Sequence, residues 1–125
     1  LSAIRAGEKI TAKKQALCLV PTTSGSGSEA THFAVVYIGQ DKFSVAGPAL
    51  YAEHAILDPR LCVSGSAYQR ATSGIDAVCQ SIESLWATGG TDKSRRFARH
   101  ALSFLLPHIE NFVKKGDAKS ARAMA

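Results

Sequence analysis

The 125-residue sequence predicts a mixed α/β chain in which strands come first and helices follow. Three observations carry that reading. Short apolar runs at Ala16–Val20, Phe33–Ile38, Phe43–Ala46 and Ala55–Leu57 are separated by Gly, Pro, Ser and Asp, the punctuation of strands and turns. After Pro59 the apolar period becomes helical, with Ile75, Val78, Cys79, Ile82, Leu85 and Trp86 on one stripe. Between the first two apolar runs lies a stretch of small residues, Pro-Thr-Thr-Ser-Gly-Ser-Gly-Ser-Glu, at positions 21–29.

Ala16–Val20 reads as a buried strand that ends at Pro21, which has no N–H to give a ladder. The loop after it offers backbone N–H groups and hydroxyls with almost no side-chain bulk, as close approach to a phosphate requires. No lysine follows the glycines, and Gly25-Ser26-Gly27 lacks a third glycine, so neither of the stronger phosphate motifs is present. The same composition suits a flexible linker, although its place between two strand-like runs favours a tight loop. Phe33–Ile38 and Phe43–Ala46 flank residues 39–42 as a β-hairpin, and Ala55–Leu57 is a short strand closed by Asp58-Pro59.

The first helix stops at Gly89-Gly90. Thr91-Asp92 caps a second, whose Phe97, Ala101, Phe104, Leu105, Ile109 and Phe112 form another stripe. Pro107 lies inside it and predicts a kink or a restart. Lys114, Lys115 and Gly116 make a favourable end, and residues 117–125 begin a further helix. The change of period places a domain boundary near residue 60, giving segments 1–59 and 60–125.

Hydrophobic residues make up 46% of the chain, enough for a core, and no apolar run reaches membrane-spanning length. The net charge of +5 lies in the final third: residues 1–91 balance seven basic against seven acidic side chains, and residues 92–125 carry eight against three. Those cations alternate with Ala, Phe and Leu on the second helix, the pattern of a solvated face, and no aromatic platform accompanies them to suggest nucleic acid. Cys18, Cys62 and Cys79 have neither metal-knuckle spacing nor an even count, which predicts buried, reduced thiols in a cytoplasmic protein. Leu1 in place of Met suggests a piece of a longer polypeptide.

Asp76 interrupts the first helix between Ile75 and Ala77, directly after Gly74. Buried without a partner, a carboxylate there would cost several kcal/mol, so it needs a cation, a metal or donors unless it faces solvent. Gln80 is one turn on along the same face. An amide is a poor transition-metal ligand, and His32, His54, His100 and His108 lack ligand spacing, so the residues alone do not complete a metal site.

The order of the small-residue loop, the hairpin with Lys42-Phe43, the Ala-Ile-Leu-Asp-Pro run at Ala55–Pro59 and Ser-Gly-Ile-Asp-Ala-Val-Cys-Gln-Ser-Ile-Glu at Ser73–Glu83 resembles the iron-containing (group III) alcohol dehydrogenase family. The resemblance covers residues 15–113. It implies an α/β fold in which the end of a Rossmann-like dinucleotide-binding domain (residues 1–59) is followed by the first helices of an all-α metal and substrate domain (residues 60–125). It implies NAD or NADP as cofactor, a divalent metal (iron or zinc), and hydride transfer to or from a small aldehyde or alcohol. Membrane and nucleic acid are not implied partners, and a homodimer is compatible with the family.

By the same resemblance, Thr22, Thr23 and Ser26 match cofactor-contacting positions of the loop. Val35 matches an apolar position beside the nicotinamide, and Lys42 the hairpin lysine that reaches the nucleotide. Asp76 matches the first metal ligand, while Gln80 stands where most members have a histidine. The Cys79–Trp86 run and Thr91–Arg95 are closer to the phosphonoacetaldehyde reductase branch. Two other readings stay open: a lyase similar to dehydroquinate synthase on the same plan, and a non-catalytic remnant of the fold.

Overall fold

A computed structural model of the chain describes residues 2–124. The chain divides into two compact units, Leu1–Val20 with Gly27–Ile56, and Pro21–Ser26 with Leu57–Ala125.

The first unit carries a short helix α1 (Ser2–Arg5) and four strands, β1 (Cys18–Leu19), β2 (Phe33–Ile38), β3 (Asp41–Ala46) and β4 (His54–Ala55). β2 and β3 form the expected antiparallel hairpin, paired from Phe33↔Ala46 to Ile38↔Asp41. That register leaves a two-residue turn at Gly39-Gln40, and Gly39 takes the φ of +68° that such a turn demands. β1 and β4 pair in parallel, Cys18↔His54 and Leu19↔Ala55. The run Ala16–Val20 thus yields only two strand residues, and the strand expected at Ala55–Leu57 lies one residue earlier. Polar contacts supply what the short ladder does not. Glu53 pairs with Lys13 at 2.6 Å and accepts the Leu17 N–H at 2.7 Å, while Lys13 also donates to the Tyr51 carbonyl. These bonds tie the segment entering β1 to the segment entering β4. Glu53 is held at a pKa of about 2, chiefly by the hydrogen bond from Lys13 and then by the Leu17 N–H.

The second unit is helical: α2 (Pro59–Val63), α3 (Ala67–Trp86), α4 (Asp92–Lys115) and α5 (Ala118–Met124). Asp58 caps α2 by accepting the Arg60 N–H at 3.0 Å, and Pro59 fills the first helical position. The Asp-Pro pair, read above only as a strand end, is therefore a helix start. Reciprocal side-chain to backbone bonds at Ser66/Gln69 and Thr91/Ser94 open α3 and α4. α4 runs its 24 residues through Pro107. The expected restart does not occur, because proline removes a single donor while Leu105 and Phe112 anchor the helix on both sides of it. Gly116 ends α4 at φ +59° with its N–H on the Phe112 carbonyl at 3.0 Å.

The core joins Cys62, Leu105, Phe112, Ala121 and Met124, with Val63, Ala77, Val78, Ala101 and Ile109 packed around it. Gly74 is buried where α3 crosses α4 and α5: a Cβ there would stand 3.1 Å from Met124 and 3.2 Å from Ile109. Helix side chains, not a ligand, fill the space that this glycine leaves. The inner face of α3 is thus built from Gly74, Ala77, Val78, Ser81 and Leu85, while Ile75 and Trp86 of the expected stripe are 54% and 71% exposed. Small residues at the crossing bring α4 close, which rotates the large side chains outward. The thiols divide similarly: Cys62 is buried, whereas Cys18 and Cys79 are exposed, contrary to the expectation that all three are buried.

Arg70 spans the unit from α3. Its guanidinium donates to the Val63 and Gly65 carbonyls after α2 and to the Phe112 and Val113 carbonyls at the end of α4. The carbonyls of two helix C-termini thus meet one planar cation, Phe112 accepting from it as well as from the Gly116 N–H. Arg95 does the same for α3, donating to the Leu85 carbonyl at 3.2 Å, so one of the cations of the basic third is committed to packing.

Candidate functional site: a small-residue loop seated on helix α3

The loop Pro21–Ser26 belongs to the helical unit because it rests on α3. Ser24 is 3% exposed, and its hydroxyl lies 3.2 Å from that of Ser73. Gly25 has φ +105°, and a Cβ on it would collide with the Ser73 carbonyl oxygen and stand 3.1 Å from the Ala77 nitrogen. Backbone therefore meets backbone at the turn Ser73–Ala77, which carries Asp76. Two of the small residues serve packing, a use for smallness distinct from both the phosphate cradle and the flexible linker that the composition suggests. Thr22, Thr23 and Ser26 are exposed on either side of the seat. Gly27, at φ +58°, has open space where a Cβ would be and leads into a single turn at Ser28–Ala30.

Asp76 is exposed on α3, not enclosed by apolar side chains. Gln80 donates through Nε2 to Asp76 Oδ2 at 3.0 Å, as its position one turn later allows. Among the described residues no group of three or more His, Cys, Asp or Glu is placed to hold a metal ion. A carboxylate is chemically an apt donor for a divalent cation, and Asp76 is the exposed carboxylate of this turn. The histidines make other contacts: His32 Nδ1 lies 3.1 Å from the Tyr51 hydroxyl, and His108 Nδ1 donates to the Phe104 carbonyl at 2.9 Å.

Val35 and Lys42 lie in the hairpin unit. Val35 faces Ser44 and Tyr37 faces Lys42 across the ladder, so the pleat sets Val35, Tyr37, Ser44 and Lys42 on one face, and all four are exposed. The other face turns Ala34, Val36, Phe43 and Val45 inward. The two candidates, on the two arms of one hairpin, thus share one surface. Ser24, Ser73 and Arg70 were not singled out from the sequence; Gly25 was, as part of the small-residue loop, since glycine allows close backbone approach, but not as a contact to α3.

The profile of the family described as iron-containing alcohol dehydrogenase matches residues 2–59. The long-chain-alcohol dehydrogenase 1 of Geobacillus thermodenitrificans is 35% identical over 104 residues, 83% of this chain and 26% of that protein. The phosphonoacetaldehyde reductase of Streptomyces viridochromogenes is 33% identical over 106 residues, again 83% and 26%. Residues 2–59 belong to the iron-containing alcohol dehydrogenase family. Among solved structures, the sulfoacetaldehyde reductase of Bifidobacterium kashiwanohense in complex with NAD+ superposes with a TM-score of 0.91 at 26% identity, covering 98% of this chain and 33% of that one. The chain thus spans about a quarter to a third of the length of these relatives. Among the described residues, no helix is long and apolar enough to cross a membrane.

Proposed function

We propose that the chain is the central part of an NAD(P)-dependent, metal-dependent oxidoreductase that moves a hydride between the cofactor and a small aldehyde or alcohol. The observation that carries this reading is the seating of the Thr22–Ser26 loop on the turn of α3 that carries Asp76. Residues suited to a dinucleotide and a residue suited to a cation are thereby fixed within one unit of the fold. Residues 1–59 are the end of the dinucleotide domain and residues 60–125 the start of the metal and substrate domain.

In this reading the exposed hydroxyls of Thr22, Thr23 and Ser26 donate to the cofactor. Lys42 places an ammonium on its anionic part, and Val35 offers an apolar surface to the nicotinamide. Asp76 is a ligand of the divalent metal, which when bound polarises the substrate oxygen as a Lewis acid. Gln80 holds one carboxylate oxygen of Asp76 through its amide N–H and leaves the other for the cation. The exposed row of Tyr68, Ile75 and Trp86 on α3 is in keeping with further protein covering that face in a chain of the relatives' length.

The test is dinucleotide binding by the intact polypeptide that carries these residues, followed by nicotinamide fluorescence. NADH or NADPH should bind, and Lys42→Ala should weaken binding by about 1–3 kcal/mol, the range for a hydrogen bond to a charged group. Affinity untouched by Lys42→Ala would remove the lysine from the site. Failure of the wild type to bind either dinucleotide would end the oxidoreductase reading.

A further inference from the structure

We infer that Ser24, Gly25 and Ser73 are positioning residues: they clamp the small-residue loop to α3 so that the loop hydroxyls and Asp76 move as one piece. The inference rests on the proposed oxidoreductase reading and adds to it residues that need touch neither cofactor nor metal.

Three separate constraints fall on two adjacent residues. Gly25 adopts a φ of +105°, which side chains with a Cβ rarely take. A Cβ at Gly25 would also run into the carbonyl oxygen of Ser73, a helix backbone atom that cannot step aside without breaking α3. Ser24 is 3% exposed, and the Ser73 hydroxyl 3.2 Å away gives its own a partner. The flanking Thr23 and Ser26, by contrast, are exposed. A loop that needed small residues only for a ligand would impose no such demand on the pair facing the helix.

The support beneath the seat is rigid too. Ser73 lies one turn after Arg70, whose guanidinium ties α3 to the ends of α2 and α4, and the Ser73 hydroxyl is also 3.4 Å from the Arg70 carbonyl. Gly74, next to Ser73, is buried against α4 and α5. The turn is therefore held from inside by the core and from outside by the loop. A side chain at position 25 would lift the loop from α3 and carry a bound dinucleotide away from the Asp76 turn. Dinucleotide affinity would survive, because the loop's own contacts travel with it; the alignment needed for hydride transfer would not.

The experiment compares kcat, the NADH dissociation constant and the metal content of the intact polypeptide for wild type, Gly25→Ala, Ser73→Ala and Ser73→Thr. Gly25→Ala should lower kcat by about 10- to 100-fold, the scale for a misplacement of roughly 1 Å, with the dissociation constant within about threefold and the metal retained. Should Gly25→Ala fail to fold, Ser73→Ala, which deletes only one hydroxyl, should lower kcat in the same direction, and Ser73→Thr should restore it. Unchanged kcat in the folded variants would overturn the inference. So would NADH affinity falling in step with kcat, since these residues would then be cofactor contacts. A wild type that binds no dinucleotide would instead refute the underlying reading before any variant is compared, and this inference would fall with it.

Discussion

Arg70 Nε donates to the carbonyl of Phe112 at 2.8 Å, joining two residues 42 positions apart. The same side chain reaches the carbonyls of Val63, Gly65 and Val113, so one guanidinium satisfies acceptors at the ends of two helices. Arg70→Ala would strip these carbonyls of a charged donor at a partly buried site, leaving Phe112 only the Gly116 N–H, and should destabilise the helical unit by about 3 kcal/mol. Arg70→Lys keeps the charge but not the fork, and should recover less than half of that. Urea unfolding followed by the helical signal measures both, and a loss below about 0.5 kcal/mol for Arg70→Ala would show the network to be incidental.

The core makes a sharper contrast between two phenylalanines of α4. Phe112 is fully buried, whereas Phe97, placed on the same stripe by the sequence pattern, is 57% exposed. Phe112→Ala should cost about 3–5 kcal/mol through lost burial and a cavity. Phe97→Ala should cost well under about 1 kcal/mol. Thermal melts of the two variants side by side would reveal equal losses if α4 were packed by its pattern instead of by the observed face.

Acid should loosen the strand-bearing unit through Glu53. Its carboxyl titrates at about 2 in the fold against an ordinary 4.5, because Lys13 and the Leu17 N–H favour the charged form. A depressed pKa means that the contribution is complete above about pH 4.5 and disappears as the pH falls through 4.5 towards 2. Because the pair is solvent-accessible, salt should reduce the effect. An NMR titration should place the Glu53 midpoint near 2, moving towards 4.5 in Lys13→Met; a midpoint already near 4.5 in the wild type would deny the pairing.

Much of this arrangement was legible in the residues, in proportion to how local its causes are. The hairpin followed from the break at residues 39–42 between alternating runs, although Asp41 and Lys42 of that break are strand, and the start and end of α4 followed from Thr91 and Gly116, since turns and caps are fixed by a few adjacent residues. Asp58-Pro59 and Ser66-x-x-Gln69 carried equally local signals for the starts of α2 and α3, and both were passed over. What could not be read locally was which face of α3 is buried. A stripe drawn from the largest apolar residues favours Ile75 and Trp86, yet the crossing with α4 selects the small Gly74, Ala77 and Ser81. The packing of the loop was hidden for the same reason: Gly25 looks alike whether it makes room for a phosphate or for the Ser73 carbonyl. Only the helix that packs on it, about 50 residues away, decides.

The proposed roles of Asp76 as a metal ligand and of Gln80 as its hydrogen-bonding neighbour make opposite demands on the two residues. Elemental analysis of the intact polypeptide after dialysis, wild type against Asp76→Ala and Gln80→Ala, tests them most directly. The wild type should hold a divalent metal, Asp76→Ala should retain none, and Gln80→Ala should keep most of it, because the amide supports the carboxylate and is itself a poor donor to a metal. Full metal occupancy in Asp76→Ala would rule out Asp76 as a ligand.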